Sequence, residues 1–122
     1  MINLNEESKR YDLFQYNVIV DYDKDRISEG TIKNKLEWIK KNYDKIIELC
    51  YYEVKSFTEE GMNISKEPFL EIIRPQELQI VMDENHNIDS TLIFDVGDSL
   101  RSKRLSVEIT YGNEIGEIYV HE

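Results

Sequence analysis

At 122 residues, 40% hydrophobic and 33% charged, the chain has material for one packed core of ordinary size and is too apolar for wholesale disorder. A formal net charge of −10 disfavours nucleic acid and anionic lipid as partners, and no apolar run reaches the roughly 20 residues that would span a bilayer. The single cysteine, Cys50, excludes an internal disulfide and a cysteine-based zinc site, so the expectation is a cytoplasmic protein folded as one α+β domain over residues 1–122.

The N-terminal stretch Met1–Arg10 is polar and lacks the apolar block of a secretory leader. Tyr11 to Tyr22 then alternates as one long strand, with Phe14, Tyr16, Val18, Val20 and Tyr22 toward the core and Leu13, Gln15, Asn17, Ile19 and Asp21 away from it. A charged turn at Asp23–Arg26 follows, and Ser28 or Thr31 can cap the next helix by accepting its orphan amide protons.

From Ser28 to Thr58 the period changes. Ile32, Leu36, Ile39, Tyr43, Ile46, Cys50, Val54 and Phe57 recur every three or four residues, which predicts an amphipathic helix. The phase persists across Asn42 and favours one long helix, with a pair of helices broken at Asn42 as the alternative. Cys50 is in phase with this apolar stripe and reads as a small buried hydrophobe. Trp38, Leu49 and Tyr52 form a second flank, and because Tyr51 and Tyr52 are adjacent only one of them can point inward.

Glu59, Glu60 and Gly61 end that element. Ser65, Glu67 and Pro68 then open a short helix through Ile73, which Pro75 closes because the residue before a proline is pushed toward extended geometry. Four strands follow, Leu78–Asp83, Ser90–Val96, Leu105–Tyr111 and Ile115–His121. Their inward positions are Leu78, Ile80 and Met82, Leu92 and Phe94, Leu105, Val107, Ile109 and Tyr111, and Ile118 and Val120. Glu84–Asn87 and Gly112-Asn113 read as hairpin turns, and Gly97–Lys103 as a wider loop. The predicted fold is therefore a mostly antiparallel sheet of about five strands, one N-terminal and four C-terminal, packed against a long amphipathic helix and a short one.

Candidate chemistry is thin. Asp21, Asp23 and Asp25 alternate like a calcium loop, but Arg26 stands where that loop needs glycine and Ile32 where it needs a closing glutamate. His86 and His121, the only histidines, lack the spacing of a zinc pair. Asp95 and Asp98 precede Arg101, Lys103 and Arg104, and cations this close keep carboxylates ionised rather than poised for acid–base work. No phosphate-binding glycine loop or serine-nucleophile signature is present. Neither a catalytic centre, a cofactor nor a metal is expected.

What the composition favours is binding. Residues 61–122 carry twelve acidic and five basic groups, so the sheet region holds most of the negative field and suits a basic protein partner. Tyrosine and tryptophan are interface residues, which makes Trp38, Leu49, Tyr51 and Tyr52, with Asp95 and Asp98, the expected contact set. Self-association into a homodimer through the Trp38, Leu49, Tyr52 flank is one alternative, and a small enzyme with its site near the Asp95–Arg104 loop is another.

The run Arg74-Pro75-Gln76-Glu77-Leu78-Gln79-Ile80, continuing through Leu92-Ile93-Phe94-Asp95-Val96-Gly97-Asp98-Ser99-Leu100 to Leu105-Ser106-Val107-Glu108-Ile109, resembles small bacterial domains of unknown function. Several of these are similar to immunity proteins of contact-dependent or polymorphic toxin systems. The resemblance implies a proline-led strand and an Asp-rich hairpin after a helical segment, and with them a toxin-neutralising, inhibitor-like role.

Overall fold

The computed structural model describes residues 8–13, 16–23, 25–57, 65–96, 104–110 and 112–121. It is an α+β fold. In chain order the elements are β1 (Ser8–Leu13), β2 (Tyr16–Tyr22), α1 (Glu29–Lys41), α2 (Tyr43–Phe57), α3 (Lys66–Ile72), β3 (Arg74–Met82), β4 (Ile88–Asp95), β5 (Arg104–Ile109) and β6 (Ile115–His121). The strands lie side by side in sequence order as one six-stranded sheet, antiparallel throughout except for the β2–β3 pair, whose parallel alignment requires the helices as a crossover.

The stretch expected as one N-terminal strand is a hairpin, which raises the strand count to six. The pairing Leu13↔Tyr16 and Tyr11↔Val18 sets odd-numbered residues of β1 opposite even-numbered residues of β2. In a straight strand Leu13 and Val18 would face opposite sides; in the hairpin they share one, and both are fully buried. The outward placement of Leu13 is thereby overturned, while Val18, Val20 and Tyr22 are buried as expected. Phe14 and Gln15 lie outside the described residues, as do Gly61 and Tyr111.

The expected single long helix is likewise two. Asn42 leaves helical geometry at φ −111°, ψ 13°, and its side-chain amide donates to the Trp38 carbonyl at 2.9 Å, so Asn42 caps α1 with its own side chain. The Ile46 amide nonetheless bonds back to the Asn42 carbonyl at 3.0 Å. The break is one residue wide, so Ile39, Ile46 and Cys50 keep a common buried face across it. At the start of α1, Ser28 Oγ accepts from the Thr31 amide at 3.3 Å, as an N-cap should. The short helix α3 ends at Ile72, Ile73 is already extended, and Pro75 lies within β3, which therefore begins at Arg74 rather than Leu78.

Cross-strand register turns the alternating pattern into rows on the helix-covered side of the sheet. Val20, Leu78, Leu92, Val107 and Ile118 align in one row, and Tyr22, Ile80, Ser90 and Ile109 in the next. Pro75, Phe94, Leu105 and Val120 form a third. Onto these rows α1 and α2 lay Ile32, Leu36, Ile39, Ile46, Ile47, Cys50, Tyr51 and Val54, all buried, and α3 adds Phe69. Each fully buried aliphatic or aromatic side chain stabilises the fold by about 1.5–3 kcal/mol relative to exposure. Met82, Ile118 and Val120, expected inside, are only half-buried, packed against the core without being enclosed by it.

Candidate functional site

The side of the sheet away from the helices carries the other half of every strand. Register places Arg10, Ile19, Glu77, Ile93, Ser106 and Tyr119 in one row across it, and Asp21, Gln79, Thr91 and Glu108 in the next. A further row runs Arg74, Asp95, Arg104. Among the described residues this face bears seven carboxylates, from Asp12, Asp21, Glu77, Asp89, Asp95, Glu108 and Glu117, against three guanidinium groups, from Arg10, Arg74 and Arg104. The imbalance grows toward β6, because Arg74 and Arg104 flank Asp95 in the register and offset it, whereas among the described residues no basic side chain stands across from Glu108 or Glu117 in the register.

At the β6 edge this acidic face meets the expected aromatic flank. A groove of about 650 Å³ runs between α2 and β6, lined by Leu49, Tyr52 and Glu53 from the helix and by Ile115, Gly116, Glu117, Ile118 and Tyr119 from the strand. Leu49, Tyr52 and Tyr119 are 37, 54 and 45% exposed, large apolar surface to leave in water on so small a protein. Between the pairs Val107↔Ile118 and Ile109↔Ile115 the strand β6 contains one residue more than β5, a bulge around Gly116 and Glu117. A Cβ at Gly116 would lie 3.0 Å from Oε1 of Glu108, so the bare glycine lets that carboxylate lie along the edge. The Tyr119 hydroxyl donates to Glu117 Oε2, and this bond, with the charges of Glu117 and Glu108, holds the phenol above its ordinary pKa. Two ion pairs among the described residues, Lys40–Glu37 and Lys66–Glu48, lie away from Glu53, Glu108 and Glu117.

A second, smaller cleft of about 330 Å³ opens where α1 meets two hairpin turns, between Thr31, Asn34 and Lys35 on one side and His86, Asn87 and Asn113 on the other. The turns match: Asp83 and Asn87 close one, Thr110 and Glu114 the other, and each places a non-glycine residue in left-handed geometry, His86 at φ 64° and Asn113 at φ 58°. Lys35 is buried beside them and donates to Asn113 Oδ1 at 2.7 Å and to the Thr110 carbonyl at 3.4 Å. Burial lowers its pKa against the opposing pull of Asp89. Its hydrogen bonds make it a clasp between α1 and the β5–β6 turn, a role that sequence reading missed because lysine on a helix normally signals solvent.

Of the expected contact residues, Leu49 and Tyr52 line the α2–β6 groove. Tyr51 is the inward member of its pair: it is 6% exposed, with its ring 5.5 Å from that of Phe69, so it is part of the core and only its neighbour faces out. Trp38 is half-buried against the core from α1 and is not among the residues lining the groove. Asp95 occupies the helix-free face between Arg74 and Arg104, and Asp98 lies outside the described residues, as does the rest of its loop. Cys50 is buried, and burial with the nearby Glu53 charge pushes its thiol up to about 12, far from nucleophilic. Asp23 forms a local turn, its Oδ1 accepting from the Asp25 amide at 3.0 Å. Among the described residues no group of three His, Cys, Asp or Glu side chains could hold a metal ion, and no helix is long and apolar enough to cross a membrane.

No protein-family model, curated protein or solved structure matches the chain.

Proposed function

We propose that the protein is a non-catalytic binding protein whose acidic sheet face and β6 edge cover a basic site on another protein, in the manner of an inhibitor or immunity protein. The observation that carries this reading is the uneven charge of the helix-free face, seven carboxylates to three guanidinium groups, culminating at the edge where apolar side chains are also exposed. Such a field accelerates encounter with a basic surface, and the exposed Leu49, Tyr52 and Tyr119 supply the apolar contact that retains it. A cytoplasmic location fits this role, since both partners would meet where the chain is made.

The test is affinity capture from the native host at low and high ionic strength. A basic protein retained at low salt and released at high salt is the expected result, because Coulomb attraction between exposed charges is screened within a Debye length of about 10 Å at 0.1 M. If every retained protein is indifferent to salt, the reading is wrong.

A further inference from the structure

We infer that the α2–β6 groove receives one extended segment of a basic partner protein by strand addition, and that this segment alternates apolar and basic residues. The inference rests on the binding role proposed above and adds to it the conformation and residue pattern of what is bound.

Three observations converge. First, β6 is the last strand of the sheet among the described residues, so one side of its backbone has N–H and C=O groups directed away from β5, the template on which a further strand pairs. Second, the groove lies where an added strand would run, with α2 as its wall, and its apolar lining falls on one side of that path: Ile118 from β6 with Leu49 and Tyr52 from α2. Third, the opposite side of the same path carries two carboxylates, Glu117 on β6 and Glu108 lying against Gly116, with the Tyr119 ring beside them and its hydroxyl on Glu117. A strand has a period of two, so its alternate side chains would enter these two environments in turn. Apolar residues would pack against Leu49 and Tyr52, and lysine or arginine would stand beside Glu117 and Glu108.

Charge also selects the occupant. A second copy offering its own β6 would bring a second acidic edge, with its Glu117 and Glu108, close to the first, and the like charges of the two edges repel. The bulge at Gly116 and Glu117 adds to this, because it twists the edge away from flat pairing and leaves the stretch from Ile118 onward as the regular template. A basic strand meets attraction where a copy meets repulsion.

The experiment uses the whole chain and a displayed library of short peptides with lysine or arginine at every second position and varied residues between. Selected peptides should carry apolar residues at the varied positions, and binding should slow hydrogen exchange at least tenfold at those β6 amides between Ile118 and Val120 that point away from β5. N-methylation of alternate peptide amides should weaken binding at least tenfold, as should the double substitution Glu108→Lys with Glu117→Lys, whose fold is verified by an unchanged circular dichroism spectrum. A library without binders, selected peptides that leave β6 exchange unaltered, N-methylated peptides that bind equally well, or a dimer by light scattering whose outward β6 amides are already protected from exchange would each overturn the inference. Its failure is distinct from failure of the binding role: a salt-sensitive protein partner retained undiminished by the doubly substituted chain would sink strand addition and leave the broader reading intact.

Discussion

The two faces of the sheet are built from the same six strands and differ only in which alternate residues each receives. Beneath the helices the rows are apolar from β2 to β6, as in Val20, Leu78, Leu92, Val107 and Ile118, interrupted by Ser90, whose hydroxyl reaches the Ile109 carbonyl. On the far side the rows mix isolated apolar residues with carboxylates, as in Ile19, Glu77, Ile93, Ser106 and Tyr119. One face holds the molecule together and the other sets its field. Stability and surface charge are therefore separable by a shift of one position along any strand.

That separation can be broken most directly at Phe94, fully buried in β4 with its ring 6.3 Å from that of Tyr43. Phe94→Ala should lower unfolding free energy by about 3–5 kcal/mol in urea denaturation, because the cavity lies between two layers that cannot both close on it. A loss below about 1 kcal/mol would show that the helical layer is not packed on this row.

Cys50 sharpens the comparison through pH. Its folded thiol titrates at about 12 and an unburied one at 9.0, so between these values the unfolded chain holds fewer protons and stability falls as pH rises. The contribution is fully present below pH 9 and is lost at about 1.4 kcal/mol per pH unit above it. Cys50→Val should therefore match the parent's pH dependence from neutrality to pH 9 and fall less steeply above it, the more so because the Cys50 thiolate also helps hold the Tyr43 phenol above its ordinary value, while Lys35 acts alike in both proteins. Parallel curves above pH 9 would mean that the thiol is accessible to water in the folded state. The smallest effect belongs to the open face: Glu77→Gln should change stability by no more than about 0.5 kcal/mol. A larger change in urea denaturation would show that the acidic rows carry structural weight.

Much of this architecture can be read from periodicity. Alternation placed Leu78, Ile80, Leu92, Phe94, Leu105, Val107 and Ile109 inside, and the three-to-four spacing placed Ile32 to Val54, because burial of a whole face imposes a repeat on the chain. The N-terminal hairpin leaves no mark in the sequence for a specific reason: nothing between Leu13 and Tyr16 is the glycine or asparagine that marks a tight turn, and alternation continues unbroken in the residues after it. The stop at Asn42 was visible only as one poor helix former in an intact phase, too weak a signal to outweigh the continuity around it. At the candidate site, Leu49 and Tyr52 were recognisable as surplus to the helix's buried stripe. Their partner β6 was not, since which strand becomes an edge depends on pairing between distant segments that no local pattern encodes.

The lone parallel pairing, β2 with β3, has a covalent consequence. Tyr22, the last residue of β2, lies opposite Ile80, so the chain leaving β2 must return about 20 Å along the sheet before entering β3 at Arg74. A tight turn has no reach for that journey. The helical layer is thus tether as well as cover: shortening it to a loop would deny these two neighbours their alignment, and the hairpin formed by β1 and β2 would lose the β2–β3 seam that joins it, among the described residues, to the remaining four strands.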